Sequence, residues 1–247
     1  MLNISSLSKC YGRNTVLDEV DFSLKGGSLN VLTGSNGTGK STLLRLIAQI
    51  ERPTGGNIEL FGRVPVPLQI GYLPQNLHFN SLLTVVNIIQ FYASVWGLPK
   101  TVAQAALVRW GLETHQGKRT GELSGGLRQR LGLAVLYLRP AALILLDEPG
   151  LSLDPYWRNQ LGEWLMRLAQ EGVIVLATTH IGQEWADKAD RMLCCEEGKV
   201  RDALVGKDAV SSSALSYRGE SALCARNHSS EAMSLFAEPD RVAGGKR

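Results

Sequence analysis

The 247-residue chain lacks any apolar run of membrane-spanning length. Its longest aliphatic segments, ALILL and VIVLA, have the size of single strands, whereas a spanning helix needs about 18 or more apolar residues. The first residues, MLNISSLSKC, carry no basic region leading into an apolar core, so we expect no secretion signal. These absences predict a cytoplasmic protein that cannot cross a membrane by itself.

The chain also has few cysteines and a low net charge. The four cysteines form no C-x-x-C pair and have no histidine partner at zinc spacing, which argues against a zinc site. Adjacent Cys194 and Cys195 are typical of a structural pair ending a strand, with a metal or redox site as the alternative. A formal net charge of +3 from scattered basic residues argues against a nucleic-acid-binding surface. The isolated His78, His115 and His228 receive no role.

What the chain does contain is a glycine-rich segment, GSNGTGKST, between a predicted strand, SLNVLTG, and a predicted helix, STLLRLIAQI. Glycines on such a turn let backbone N–H groups face an anion, and the helix dipole adds to the attraction. Lys40, expected to be solvated without ligand, supplies a charge for the outer phosphates, and Ser41 a hydroxyl for Mg²⁺. A glycine-rich turn without ligand is the alternative. We predict a nucleotide site formed by Gly34, Ser35, Asn36, Gly37, Thr38, Gly39, Lys40, Ser41 and Thr42.

Strands that alternate with helical segments predict an α/β fold with a mainly parallel sheet. AALILLDEP and GVIVLATTH are further buried strands, and functional residues gather beyond the carboxyl ends of such strands. Gly34, Asp147 and His180 each follow a strand, so we expect them at one edge of the sheet. Asp147 and Glu148 can divide two hydrolytic roles, binding Mg²⁺ and orienting or deprotonating water. An acidic surface pair is the alternative.

A second turn suited to an anion lies in ELSGGLRQRLGLAVLYL. Ser124, Gly125 and Gly126 offer a hydroxyl and two bare amides at the start of a helix. A single-nucleotide kinase has no evident use for such a turn. With this segment, residues 2–200 closely resemble the nucleotide-binding subunit of ABC transporters. The segments LTVVNIIQFYASVWGLP and LRQRLGLAVLYLRPAALILLDEP are most similar to its type-2 exporter class.

The resemblance implies that the chain binds ATP and Mg²⁺. Tyr11, in KCYGRNTVL, is similar to the aromatic residue that stacks on adenine, and Gly34–Thr42 to the Walker A loop. Gln75, in GYLPQ, resembles the Q-loop glutamine that contacts Mg²⁺ and couples to the membrane subunit. The implied magnesium ligands are Ser41, Gln75 and Asp147.

The remaining matched residues concern hydrolysis and the contact between subunits. Asp147 and Glu148 resemble the Walker B pair, Asp154 the D-loop aspartate, and His180 the switch histidine. The resemblance implies that catalysis depends on Glu148, His180 and Lys40. Ser124, Gly125 and Gly126, hereafter the signature turn, resemble the family signature. With Asp154, they are implied to contact nucleotide.

The family's architecture implies a P-loop NTPase core with a mainly parallel sheet, an antiparallel β subdomain and an α-helical signature subdomain. We predict an ATPase domain over residues 1–200, with the helical subdomain at about 82–138. Residues 201–247 are expected to form a partly ordered tail, too short for an independent domain. Leu127, Gly150 and Ser152 depart from the family's usual glutamine, threonine and glycine. Gly150 and Ser152 are expected to alter contacts at the dimer interface, and so to affect the rate of ATP hydrolysis more than its presence.

The implied function is that of an ATP-hydrolysing subunit that powers export, or other translocation, through a separate integral membrane permease. Two such subunits, expected to be a homodimer, sandwich two ATP molecules, and the signature of each caps the γ-phosphate held by the other. The subunit would lie on the cytoplasmic side of the inner membrane, held through the permease, with no nucleic-acid partner.

Two alternatives remain. A soluble ABC-type ATPase acting on DNA or ribosomes would carry a long coiled-coil insertion or two ATPase units. Only residues 76–123 lie between Gln75 and Ser124, and there is no second P-loop. A regulatory subunit that binds ATP without hydrolysing it is the other alternative, and the presence of Glu148 and His180 argues against it.

Overall fold

The computed structural model describes residues 1–61, 69–139 and 141–203. Strands with apolar residues on both faces, such as LILL and IVLATT, are buried in a parallel sheet, whereas strands with alternating burial face solvent on one side. The strands in the described residues are β1 (Leu2–Tyr11), β2 (Asn14–Leu24), β3 (Ser28–Thr33), β4 (Gly55–Leu60), β5 (Ile70–Leu73), β6 (Leu143–Leu146), β7 (Ile174–Thr179), β8 (Arg191–Glu196) and β9 (Lys199–Asp202).

Three helices, at residues 85–95, 125–137 and 155–170, begin at residues whose side chains cap free N–H groups. The helix at residues 85–95 has a capping box, in which Thr84 and Asn87 exchange side chain–backbone hydrogen bonds. Ser124 and Asp154 cap the two longest helices with their side-chain oxygens. The helices are α1 (Lys40–Ile47), α2 (Val85–Val95), α3 (Lys100–Arg109), α4 (Gly125–Tyr137) and α5 (Pro155–Gln170).

The strands form two sheets. The smaller is antiparallel with strand order β2-β1-β4, and the larger has the order β5-β6-β7-β3-β8-β9. Neighbours in the larger sheet pair in parallel, except for the antiparallel pair β8 and β9. The predicted α/β class, with a mainly parallel sheet, an antiparallel β part and a helical part, is confirmed.

Two apolar clusters hold these layers together. One joins α1 to both sheets, through residues such as Leu43 and Ile47 of the helix, Ile4 of β1 and Leu32 of β3. The other packs α2–α5 on the larger sheet and surrounds Trp110, which is fully buried. The first cluster positions the glycine-rich turn, because α1 follows the turn directly in the chain and is packed between both sheets.

The predicted domain limits stay a prediction. The helices α2, α3 and α4 fall within residues 82–138. Strand β9 continues to Asp202, slightly past the predicted domain end at residue 200, and residues 204–247 of the predicted tail lie outside the described residues. None of the helices in the described part of the chain has the length and apolarity needed to span a bilayer.

The bulge between β1 and β4 generates a stability prediction at Gly56. Its φ is +82°, and a Cβ added there would lie 2.3 Å from the carbonyl oxygen of Ser6. We expect Gly56→Ala to lower the free energy of unfolding by about 1–3 kcal/mol, because both the left-handed backbone and the clash are unfavourable. Urea unfolding of the purified protein measures this difference.

Gly55→Ala is the matched control. The nearest atom to a Cβ at Gly55 is Ser8 Cβ at 3.9 Å, an ordinary contact. This variant should change the free energy of unfolding by no more than about 0.5 kcal/mol. Equal effects of the two substitutions would contradict the assignment of Gly56 to the bulge.

Candidate active site

The parallel register brings three strand ends to one edge of the larger sheet. Thr33 of β3 pairs with Thr179 of β7, and Leu146 of β6 pairs with Ala177 of β7. The residues that follow these strands are the glycine-rich turn, the DE pair and His180. The edge therefore collects a phosphate-type turn, two carboxylates and an imidazole.

The glycine-rich turn lies between β3 and α1, against β8. Gly34 has φ +148°, and a Cβ on it would lie 2.4 Å from the carbonyl oxygen of Cys195. Only glycine allows this approach of two backbone segments. Helix α1 starts directly after Gly39 and has no acidic residue in its first turn, so its positive end faces the turn without a competing carboxylate.

Lys40 is buried rather than solvated, so the expectation of a solvated side chain is wrong. Its residue exposure is 5%, and Nζ donates to the carbonyl oxygens of Gly34 at 2.7 Å and Ser35 at 2.9 Å. A buried ammonium group needs such acceptors, because desolvation without them is costly. The charge is thereby held inside the turn, where an anion bound to the turn would meet it.

Thr178 joins the two carboxylate residues, and sequence reasoning missed it. Its buried hydroxyl donates to Oδ1 of Asp147 at 2.7 Å and accepts from the backbone N–H of Glu148 at 3.0 Å. Asp147 itself is 2% exposed. The available signal was a pair of hydroxyl residues, Thr178 and Thr179, at the end of an aliphatic strand, but the partner of Thr178 became apparent only from the strand register.

Glu148 and His180 form a close pair. Nδ1 of His180 lies 2.6 Å from Oε2 of Glu148, whose side chain is 8% exposed while that of His180 is 39% exposed. Glu148 has φ +51°, a left-handed conformation that is unfavourable for glutamate and that occurs preferentially at functional sites. Both residues line a pocket of about 80 Å³ together with Gly150, Thr178, Ile181 and Trp185.

A second pocket lies at the start of α4. Oγ of Ser124 accepts from the N–H of Leu127 at 3.3 Å, and Oδ1 of Asp154 accepts from the N–H of Trp157 at 2.9 Å. These residues line a pocket of about 120 Å³ that also contains Gly126. No residue of the glycine-rich turn lines this pocket, so the two turns suited to anions are separate in one chain.

Tyr11 and Gln75 lie at two other places. Tyr11 ends β1, is 44% exposed and donates its hydroxyl proton to Oε2 of Glu51. Gln75 is exposed in the turn that follows β5. In the same strand, burial and then the charge of Asp147 raise the pKa of Tyr72 to about 12, which keeps its phenol protonated.

The cysteine pair consists of a half-buried thiol, Cys194, and a buried thiol, Cys195. Cys194 and Cys195 are free, and burial raises the pKa of Cys194 to about 11 and also raises that of Cys195. Residues 1–61, 69–139 and 141–203 contain no group of three or more His, Cys, Asp or Glu side chains arranged to hold a metal. The raised pKa values of both thiols and the burial of Cys195 support the structural interpretation of the pair.

The fold and this edge define a class of nucleotide-hydrolysing protein. Residues 17–150 match the protein-family model described as ABC transporter, a span of more than half of the 247 residues. The chain therefore belongs to the ABC transporter family, as an ATP-binding subunit with ABC-type ATPase activity.

Relatives of this chain include importer and exporter subunits. It is 34% identical over 81% of its length to the uncharacterized ABC transporter ATP-binding protein YxlF of Bacillus subtilis, covering 69% of that protein. It is 36% identical over 81% of its length to the sulfate/thiosulfate import ATP-binding protein CysA of Mycolicibacterium paratuberculosis, covering 58% of it. The Nod factor export ATP-binding protein I of Rhizobium etli is 33% identical over 80% of the chain, which covers 66% of that protein.

A solved structure supports the fold. The structure of an ATP-binding subunit of an ABC transporter is similar with a TM-score of 0.75 and 26% sequence identity, covering 81% of this chain and 88% of the other. This similarity agrees with an ATP-binding subunit of an ABC transporter. Because the relatives include both import and export proteins, they do not give the direction of transport.

The hydroxyl of Thr178 generates a kinetic prediction. Thr178→Val keeps the side-chain volume but leaves Oδ1 of Asp147 and the N–H of Glu148 without this partner. We expect kcat for ATP hydrolysis to fall by about 10- to 100-fold, because Thr178 orients a buried carboxylate of the candidate active site. Steady-state phosphate release at saturating ATP and Mg²⁺ measures it.

Thr178→Ser retains the hydroxyl and should recover most of the lost rate. Melting curves of all variants separate a loss of folded protein from a loss of turnover. A Thr178→Val protein that is folded and turns over ATP at the wild-type rate would show that this hydroxyl has no part in the reaction.

Proposed function

We propose that this chain hydrolyses ATP as one of two identical subunits that power export through a separate membrane permease. The observation that carries the proposal is the Glu148–His180 pair, 2.6 Å apart beside a buried aspartate at the sheet edge that holds the glycine-rich turn. ATP hydrolysis needs a phosphate-binding turn, a magnesium-binding carboxylate and a base that orients water. The residues at this edge can provide all of these.

Phosphate binding is assigned to Gly34–Thr42. The N–H groups at the start of α1 and the ammonium group of Lys40 would face the phosphates. The ammonium group of Lys40 donates to two carbonyl oxygens of the turn. Phosphate oxygens would take the place of these acceptors when ATP binds. Tyr11, with an exposed ring, would stack on the adenine.

Magnesium fits the oxygen donors near the turn. Mg²⁺ prefers carboxylate, hydroxyl and water oxygens and usually takes few protein ligands. Ser41 and Asp147 offer such oxygens, with Gln75 as a further amide ligand. When bound, the ion supplies charge stabilisation to the phosphates. Thr178 orients Asp147 for this contact by its hydrogen bond at 2.7 Å.

Glu148 is proposed to accept a proton from the attacking water. Its carboxylate lies at the wall of the 80 Å³ pocket, nearly buried, with one oxygen held by His180. The second oxygen can accept a hydrogen bond from a water molecule. Because the carboxylate is already oriented, little reorganisation accompanies the proton transfer. His180, more exposed than Glu148, is placed to contact both the carboxylate and a γ-phosphate.

A second copy is required to complete the site. Ser124, Gly126 and Asp154 line a pocket that shares no residue with the glycine-rich turn. We therefore assign the signature turn to the nucleotide of the partner subunit. The exposed apolar Leu151, Tyr156 and Ile181, which are 44–64% exposed, would be covered in such a dimer.

The permease is proposed to dock beside Gln75. A groove of about 260 Å³ lies between β5, α2 and α4, and Tyr72, Leu77, Phe79, Tyr92, Trp96 and Arg139 are among its lining residues. Next to it, Phe91 and Val95 are 59% and 60% exposed on α2. Docking there would hold the subunit at the cytoplasmic face of the inner membrane. Export is proposed from the resemblance of this region to type-2 exporters.

Glu148→Gln tests the assignment of the base. Glutamine has nearly the same shape and can hold a water, but it cannot take the proton. We expect ATP hydrolysis to slow by about 10²–10⁴-fold, while ATP binding survives. With Mg²⁺ and ATP, the variant should accumulate as a dimer in size-exclusion chromatography.

Glu197→Gln, at an exposed turn between β8 and β9, is the control and should behave as wild type. His180→Ala should also slow hydrolysis, since it removes the partner of Glu148. Normal turnover by Glu148→Gln would contradict the assignment of the base, and failure of folded wild-type protein to bind ATP would contradict the proposed function.

A photo-crosslinking residue in place of Ser94 tests the membrane partner. Ser94 is exposed on α2 near Phe91 and Val95, whereas Asn87, also exposed, is unsuitable because it forms the capping box of that helix. We expect a crosslink to an integral membrane protein, identified by mass spectrometry. The same residue in place of Glu59, on the smaller sheet, should give no such product. Crosslinks to ribosomal proteins or DNA instead would support a soluble ATPase.

A further inference from the structure

We infer that two charged side chains outside the proposed nucleotide site, Glu51 and Arg45, are positioning residues for ATP. They form a hydrogen-bonded connection from the ring of Tyr11 to the hydroxyl of Thr42. The inference rests on the proposed function, in which the Tyr11 ring stacks on the base and Thr42 belongs to the phosphate-binding turn.

Glu51 lies at the centre of this connection. One carboxylate oxygen, Oε2, accepts the hydroxyl proton of Tyr11, and the other, Oε1, accepts from Nε of Arg45 at 2.6 Å. These partners hold the pKa of Glu51 below its usual range, with the hydrogen bond from Tyr11 as the largest cause. The carboxylate is therefore ionised and divided between two side chains of different elements.

Arg45 extends the connection into the phosphate-binding turn. Its Nη2 donates to Oγ1 of Thr42 at 3.2 Å, one helical turn earlier in α1. Because Oγ1 accepts from the guanidinium, its own proton remains to be donated to another acceptor, such as a phosphate oxygen. Thr42 is only 7% exposed, so its hydroxyl has a defined orientation.

The Tyr11 ring is held on a second side as well. Nζ of Lys9 lies 4.9 Å from the ring centroid, over one face, and itself donates to the carbonyl oxygen of Arg52 at 2.7 Å. Lys9 contacts one face of the Tyr11 ring, and Glu51 accepts from its hydroxyl. These two contacts orient the ring, although Tyr11 is 44% exposed. A ring fixed before binding loses less rotamer freedom when a base stacks on it.

The consequence is that the hydroxyl of Tyr11 matters, and not only its ring. If stacking alone were needed, Tyr11→Phe would bind ATP normally. If the connection orients the ring and Thr42, Tyr11→Phe and Glu51→Ala should both raise the KM for ATP. The kcat should stay within about twofold of wild type, since the residues at the γ-phosphate are unchanged.

The test measures KM and kcat for ATP in the full chain carrying Tyr11→Phe, Glu51→Ala or both. We expect each variant to raise KM by about three- to tenfold, as for a partly exposed charge-assisted hydrogen bond. The double variant should be no worse than Glu51→Ala, because Tyr11→Phe removes a bond that is then already absent. Glu51→Gln, which can still accept from Tyr11, should recover part of the loss.

Glu59→Ala, an exposed glutamate of β4, is the matched control and should leave KM unchanged. Melting temperatures close to wild type for Tyr11→Phe, which loses a single oxygen, exclude a folding defect. A wild-type KM for folded Tyr11→Phe, or multiplied effects in the double variant, would overturn the inference.

Tyr11→Ala separates this result from a failure of the proposed function. If Tyr11→Ala raises KM while Tyr11→Phe does not, the ring stacks on ATP and the connection is unnecessary. If Tyr11→Ala leaves KM unchanged, the assignment of Tyr11 to the base is wrong, and the inference is wrong with it.

Discussion

The parallel register of β3, β6 and β7 is the constraint on which the active site depends. Pairing Thr33 with Thr179, and Leu146 with Ala177, makes the three strands end at one edge. Backbone hydrogen bonds along the entire strands determine this alignment, so it does not depend on the site residues themselves. The glycine-rich turn, the DE pair and His180 therefore follow strand ends at this one edge.

The charges at this edge are paired before any ligand arrives. Lys40 is held by two carbonyl oxygens, Asp147 by Thr178, and Glu148 by His180. Each pairing compensates the cost of burying a charged group and fixes the orientation of that group. Groups that are already oriented need little rearrangement during a reaction. This preorganisation is the usual source of electrostatic catalysis. The signature turn of the same chain lies at a separate pocket, at the start of α4.

Local patterns explain how much of this could be predicted from sequence. Short apolar segments predicted β3, β6 and β7, and the motif residues predicted an anion-binding role for two turns and a hydrolytic role for Asp147 and Glu148. Lys40 was misjudged, since its exposure depends on how the turn folds back over its ammonium group. Thr178 was missed, since nothing in its neighbourhood along the chain marks it as the partner of Asp147, which lies 31 residues away.

The sequence by itself determined the class of fold and the family, and it predicted the residues of the phosphate-binding and signature turns, because each depends on short-range spacing that a single segment carries. The tertiary structure alone decided which side chains meet. Tyr11 meets Glu51 across 40 residues and Glu148 meets His180 across 32. Such contacts follow from strand order and register, and these are set by the packing of the entire sheet around α1 rather than by any one segment.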